Sequence, residues 1–262
     1  MAIKSISSKD NPQYKQLKLL AIDNTSYRSS GQIWLEGEHL CQAALDSGMR
    51  FNQLVLLDAV QDNRLHTWAL RCESVLQLTG SLMNELSALP SPSWIGAVVE
   101  LPQNPLSNPL ASSVVLDQVQ DPGNAGAILR CAAAFGFEQV ISTSGSVALW
   151  SAKVIRAAMG AHFSLKVHES WDVSEILKLN TPVLLTDVHR GDYLHELLME
   201  KKLPWPCIWV FGHEGRGVSV DWPNERVQRV RIAQPGGQES LNVAAAAAIC
   251  LHASASQRVG KC

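Results

Sequence analysis

The chain has 262 residues, enough for one or two domains with a sizeable core. With 46% hydrophobic and 18% charged residues, its composition is that of a folded globular protein and excludes a disordered one. Its 22 basic and 24 acidic side chains leave a net charge of −2, which excludes coating of nucleic acid by bulk positive charge. Six cysteines, at 41, 72, 131, 207, 250 and 262, form no C-x-x-C pair and are widely spaced, so reduced thiols in a cytoplasmic protein are expected. Residues 1–18 hold no apolar h-region, and no run approaches the roughly 18 apolar residues of a membrane helix. Neither a signal peptide nor a membrane partner is therefore expected.

Residues 101–113, LPQNPLSNPLASS, read as the linker between two halves, 1–105 and 106–262. In the first half, Asn11-Pro12 precedes a helix over 13–22, and 33–35 is a strand followed by a helix over 39–47. Strands at 54–57, 75–78 and 95–99 alternate with helices at 62–70 and 82–86. The second half alternates more clearly: strands at 114–119, 139–143, 165–167, 183–188, 208–211 and 230–233, helices at 125–135, 152–159, 174–179, 193–200 and 241–254. Apolar strands in such alternation predict an α/β domain with a mostly parallel sheet covered on both faces, alongside a smaller α/β domain.

The common fingerprints are missing. There is no G-x-G-x-x-G after a strand, no G-x-x-x-x-G-K-[ST], no G-x-S-x-G and no H-E-x-x-H. His189 and His195 lack a metal-ligand spacing, so no metal is expected. Attention falls on three Gly-rich loops at strand ends, where ligands bind in such sheets. In the first, Gln120–Asn124, Pro122-Gly123 make the turn and Asn124 is the expected helix N-cap. Ala125, Ile128, Leu129, Ala132 and Ala133 form the buried stripe; Arg130 lies off it, placed to meet a phosphate or simply to be solvated. In the second, three glycines between Phe211 and Gly217 allow a flat ligand to approach closely, with Glu214 at the sheet's mouth. A flexible turn fits that pattern equally well. In the third, Ser240 is the expected cap of the last helix and Asn242 sits in its first turn beside five alanines, 244–248.

Together the three loops resemble the three motifs of the SpoU-type (TrmH-like) branch of the SPOUT methyltransferases. Motif one matches Leu116-Asp117, then Asp121-Pro122-Gly123-Asn124-Ala125-Gly126-Ala127-Ile128-Leu129-Arg130 and Ala134-Phe135-Gly136. Motif two matches Phe211-Gly212-His213-Glu214-Gly215-Arg216-Gly217-Val218, and motif three Ile232 with Pro235-Gly236-Gly237-Gln238-Glu239-Ser240-Leu241-Asn242-Val243-Ala244. Lys153–Ala161 between the motifs is also similar, as, more loosely, are Asn11-Pro12, Leu35-Glu36-Gly37 and Leu89-Pro90-Ser91-Pro92 to the family's N-terminal substrate-binding domain. Two positions depart: Ile232-Ala233-Gln234 stands where the family usually has Ile-Pro-Met, and His213 where asparagine is frequent.

The resemblance implies an S-adenosylmethionine-dependent RNA 2′-O-ribose methyltransferase with a C-terminal trefoil knot. It also implies a homodimer whose site is built across two subunits. By analogy Arg130 lies at the reacting hydroxyl, and Asn124, Glu214, Ser240 and Asn242 hold it and the RNA in register. Phe211, Gly212, Glu214, Ile232 and Leu241 are the expected cofactor contacts. A separate N-terminal domain favours ribosomal over transfer RNA. Two other readings stay open: a non-catalytic RNA-binding or ribosome-assembly factor on the same fold, and a nucleotide-dependent hydrolase or dehydrogenase. Local basic patches are expected at Lys4, Lys9, Lys15, Lys18 and Arg28, and at Arg130, Lys153, Arg156 and Arg216.

Overall fold

The computed structural model describes residues 3–58, 60, 62, 64–87, 89, 91–104, 108–219, 221–236 and 241–259. In chain order the elements are β1 (Ile3–Ile6), α1 (Pro12–Ile22), α2 (Tyr27–Ser30), β2 (Gln32–Glu36), α3 (Glu38–Asp46) and β3 (Phe51–Leu57). Then come α4 (Arg64–Ala69), β4 (Cys72–Leu78), α5 (Gly80–Leu86), β5 (Ile95–Glu100), β6 (Ser113–Asp117) and α6 (Pro122–Ala134). They are followed by β7 (Gln139–Thr143), α7 (Ala152–Ala158), β8 (Lys166–Trp171), α8 (Val173–Ile176), β9 (Val183–Thr186) and β10 (Asp192–Tyr193). The chain closes with α9 (Leu194–Met199), β11 (Ile208–Gly212), β12 (Val227–Arg231) and α10 (Val243–Val259). Every strand and helix read from the sequence is present, with ends shifted by a few residues. β1 and α2 were not expected: each is four residues long, too short for a periodic signal.

The chain forms two compact units. One holds residues 1–103 together with Trp150–Phe163; the other holds Asn104–Leu149 and 164–262. The first is built on a mixed sheet of order β1-β4-β3-β5-β2, in which β5 runs antiparallel to both β2 and β3. Its α1 buries Tyr14, Leu17 and Leu20 against Trp34, Val55 and Val98 of that sheet. Asn11 caps α1 by accepting from Gln13 N at 2.9 Å, and Pro12 follows it where no amide is needed. The segment carrying α7 joins this unit through Arg156, whose Nη1 lies 3.4 Å from Glu36 Oε2 on β2.

The second unit has a seven-stranded sheet of order β10-β12-β9-β11-β6-β7-β8, and every pairing in it is parallel. Both faces are apolar, as such a sheet requires. Val115, Ile141, Leu185, Ile208 and Val210 pack with Ile176 of α8 and Trp222 on one face. On β11 the alternate residues Trp209 and Phe211 are fully buried, and Trp209 donates to Ser254 Oγ of α10 at 2.9 Å. The order carries the functional consequence. The chain runs from β6 outward through β7 to β8, returns for β9, and only later inserts β11 between β9 and β6. That reversal is a switch point of the kind where open α/β sheets bind ligands.

Four buried cysteines, 41, 72, 207 and 250, and half-buried Cys131 are free thiols. Burial pushes the Cys207 thiol up to about 12, although a hydrogen bond to Ser254 pulls the other way, so it is inert as a nucleophile. Among the described residues no helix is long and apolar enough to cross a membrane, and no metal-binding cluster is found.

Candidate active site

Registration of β6 against β11 pairs Asp117 with Gly212, so the first two Gly-rich loops leave the sheet side by side. Asp117 is 1% exposed, and its carboxylate accepts from Thr143 Oγ1 at 2.9 Å, Ser219 N at 2.7 Å and Trp222 Nε1 at 3.1 Å. A buried charge without an ion pair needs such full satisfaction. These bonds tie the end of β6 to β7 and to the chain just past the second loop. The signal for this role was a lone acid closing the apolar run Val114-Val115-Leu116, and sequence reasoning gave it none.

The second loop turns tightly back on itself: His213 and Gly217 exchange backbone hydrogen bonds of 2.9 Å in both directions. A side chain at Gly212 would place its Cβ 2.2 Å from Gly217 C and Val218 N, so only glycine closes this turn. His213 Nδ1 accepts from Gly215 N at 2.9 Å and Arg216 N at 3.3 Å, giving the ring a structural task in the loop.

One expected cap and one expected position are corrected. Asn124 is not the N-cap of α6; Asp121 is, accepting from Asn124 N at 2.7 Å, because Pro122 lacks an amide and fits the helix's first turn. Asn242 is not within the first turn of α10 but immediately before it, its Oδ1 accepting from Ala244 N at 2.9 Å and Ala245 N at 3.2 Å. Ser240, expected as that cap, lies outside the described residues.

The displaced asparagines meet each other. Asn242 Nδ2 donates to Asn124 Oδ1 at 3.0 Å, and Asn124 Nδ2 donates to Glu214 Oε1 at 3.0 Å. One hydrogen-bonded chain thus links all three loops, and it also fixes both amide orientations. Burial raises the Glu214 carboxyl, but bonds from the Asn124 amide and from the backbone N–H groups of Glu214, Asp121 and Gln120 outweigh it. The net position is below the usual carboxylate range.

Arg130 does not join this chain. It is exposed on α6, six residues beyond Asn124 and so roughly 9 Å further along the axis, with no hydrogen bond or ion pair to any described residue. Of the other expected cations, Arg216 is in the second unit, while Lys153 and Arg156 belong to the first. The amino-terminal cluster is largely neutralised: Lys9 and Lys18 both pair with Glu85, and Lys15 with Asp10.

Beside the loops lies a cavity of about 810 Å³. Gly212, Glu214, Ile232 and Leu241 line it, as expected, together with the loop after β9, Asp187–Arg190. Phe211 does not: it is fully buried and stacked on Trp209, because strand alternation turns it into the core. Gln234 also lines the cavity, and its buried Oε1 has no hydrogen-bond partner. Volume, glycine-lined wall and an uncommitted acceptor fit a nucleoside-sized ligand with an amino group. Arg190 and Arg216 at the wall suit its carboxylate.

The model of the SpoU rRNA Methylase family matches residues 111–252, the stretch that carries all three loops. The uncharacterized tRNA/rRNA methyltransferase slr1673 of Synechocystis is 30% identical over 98% of this chain and 95% of its own length. RlmP of Bacillus subtilis, a 23S rRNA (guanosine(2553)-2′-O)-methyltransferase, is 27% identical over 95% and 98%. Mitochondrial rRNA methyltransferase 3 of Xenopus tropicalis is 33% identical, but the match spans 43% of that longer protein. A solved RNA 2′-O ribose methyltransferase superimposes with a TM-score of 0.79 at 29% identity, covering 97% of this chain and 99% of the other. Fold, loop geometry and similarity agree, and the chain belongs to the SpoU rRNA methylase family.

Proposed function

We propose that this protein transfers a methyl group from S-adenosylmethionine to a ribose 2′-hydroxyl of ribosomal RNA in the cytoplasm. The observation that carries this reading is the chain Asn242–Asn124–Glu214, which reaches the wall of the 810 Å³ cavity through Glu214. When bound there, S-adenosylmethionine supplies an electrophilic sulfonium methyl group. Gly212, Ile232 and Leu241 contribute wall and backbone to its binding, and Gln234 Oε1 is an acceptor for its amino group.

The protein's task is then to align the hydroxyl oxygen with that methyl and to ease loss of the hydroxyl proton. A guanidinium is a donor only, so Arg130 is not the proton acceptor. It grips the neighbouring phosphate through its fork of N–H groups and stabilises alkoxide character as the oxygen attacks. Its exposure and lack of protein partners leave it available for this. Asn124 and Asn242 orient the loops, and Glu214 is their ionised anchor; Ser240 belongs to the same set by resemblance.

A homodimer completes the site in this reading. An apolar groove of about 750 Å³, lined by Phe135, Leu198, Ala233 and the 41%-exposed Ile249, shares Ile232 with the cofactor cavity. A second copy seated there would bring its own loops to the cavity's rim. The resemblance adds a trefoil knot in the segment carrying motifs two and three, and an RNA-gripping role for residues 1–105. The family's name and the B. subtilis relative support the choice of ribosomal over transfer RNA in this reading. Mapping ribose methylation in RNA from cells with and without the gene tests the reading. Loss of one ribosomal 2′-O-methyl mark is expected, and an unchanged map would contradict it.

A further inference from the structure

The first unit holds a second concavity, of about 240 Å³, whose lining is unusual in chemistry. Five of its lining residues carry carboxamides: Gln13 and Gln16 from α1, Gln32 from β2, and Asn52 and Gln53 from β3, of which Gln53 faces α1 and Asn52 lies at the strand's edge of the groove by its backbone. No charged side chain lines it, and its floor is apolar, including Leu17 and Val98. Strand register explains the convergence. Gln53 pairs with Val98, while Gln32 lies two residues before Trp34, which also pairs with Val98. Gln32 and Gln53 therefore flank Val98 on the face that α1 covers, at the end where the helix no longer fills it.

The carboxamides are mostly uncommitted. Gln53 Nε2 reaches Ser74 Oγ only at 3.4 Å, and Gln16, Gln32 and Asn52 have no side-chain partner among the described residues. On the α1 face, the side-chain oxygens of Gln32 and Gln53 accept from no described donor. Acceptors left open in a groove ask for a donor. At the rim, Lys4 donates to Gln13 Oε1, and no described carboxylate pairs with it.

We propose that this groove binds one unpaired base of the RNA, adenine by preference. A carboxamide presents a donor and an acceptor side by side, which matches the amino group and ring nitrogen of adenine. Guanine is typically met by arginine or lysine, and cytosine by a carboxylate, neither of which lines the groove. The apolar floor takes the face of the ring, the 6-amino group donates to the carboxamide oxygen of Gln53 or Gln32, and Lys4 meets the adjoining phosphate. The volume, below the roughly 300–1,000 Å³ of drug-sized pockets, suits a single base. The assignment rests on the RNA-methyltransferase reading for the source of the base, though not for the binding itself.

The test is saturation-transfer NMR of the four ribonucleoside 5′-monophosphates with the full chain. Saturating S-adenosylmethionine is present, so that the other cavity cannot report. AMP is expected to give base-proton signals at least fivefold above GMP, CMP and UMP. The variants Gln32→Leu and Gln53→Leu are expected to abolish that excess while keeping the wild-type melting temperature and S-adenosylmethionine affinity. If Gln53→Leu fails to fold, Gln16→Leu replaces it. Equal signals for all four nucleotides, no AMP signal, or an AMP signal that survives the variants would overturn the site. A second arm separates sources: the single-stranded hexamer rA6 should displace AMP at least tenfold more tightly than AMP binds, and rU6 should not. An hexamer weaker than AMP would assign the groove to a free nucleotide and overturn the RNA proposal. If the protein proved unable to bind S-adenosylmethionine, the enzyme reading would fail while this outcome still stood or fell separately.

Discussion

At the strand ends of the second unit, Asn124, Glu214, Asn242 and Asp117 are bound to one another or to neighbouring backbone and ring N–H groups. In the groove of the first unit, Gln16, Gln32 and Asn52 have no side-chain partner among the described residues. The difference matches the roles proposed for the two regions. Methyl transfer needs a geometry fixed before the substrate arrives, so polar groups are locked together while Arg130 has no partner among the described residues. Recognition needs groups whose hydrogen bonds are completed by the ligand. The parallel sheet supplies the first condition by ending β6 and β11 in register; the mixed sheet supplies the second by leaving strand starts uncovered beside α1.

Substitutions can break this contrast. The largest effect is expected at Arg130. Arg130→Ala should lower methyl transfer by about 10²–10³-fold, the scale of removing one transition-state donor. Calorimetry should still show wild-type S-adenosylmethionine affinity, since Arg130 is not on the cavity wall. Near-normal turnover would remove it from the mechanism. Next is Asp117→Ala, which orphans three donors at once. Urea unfolding should show a loss of about 3 kcal/mol or more, and activity should fall with it. A change under 1 kcal/mol would mean that the loop is held by something else.

The locked chain also makes a pH prediction. Glu214 has a folded-state value below its unfolded one, so its contribution to the site is complete above the ordinary carboxylate range near pH 4.3. It is lost only as pH falls through the depressed value. The kcat profile should therefore show no Glu214 limb between pH 5 and 8 by this argument. Glu214→Gln should retain the fold but lower kcat by roughly tenfold, because the charged anchor becomes a neutral one. A smaller effect is expected at Gln234. Gln234→Leu removes one uncommitted acceptor, and S-adenosylmethionine affinity should fall by about five- to tenfold in calorimetry, with melting temperature unchanged. The smallest concerns charge. With Lys9 and Lys18 held on Glu85, and Lys15 on Asp10, these three lysines are not free to displace RNA counterions. The dependence of RNA affinity on salt should be shallow, and Glu85→Gln should steepen it slightly.

The sequence made the second unit legible because its strands are apolar runs separated by amphipathic helices, and three loops share the family's order. What it missed depends on contacts between distant residues. The sequence pattern put Asn124 at the cap of α6; Pro122 gave that place to Asp121, and so freed Asn124 to reach residue 242. Phe211 and Gly212 are neighbours in sequence, yet alternation turns one into the core and the other to the cavity. The lysines looked like a basic patch only because Glu85, about 70 residues away, is not near them in sequence. Residues 150–163 read as part of the second half, but the Arg156–Glu36 contact belongs to the first unit.

The central claim is tested most directly by incubating purified protein with ribosomal RNA and S-adenosylmethionine carrying a labelled methyl group, then digesting the product to nucleosides. The account predicts label on the ribose of a single nucleotide as a 2′-O-methyl group, lost in Arg130→Ala although that variant still binds the cofactor. Label on a base, or transfer undiminished in that variant, would contradict it.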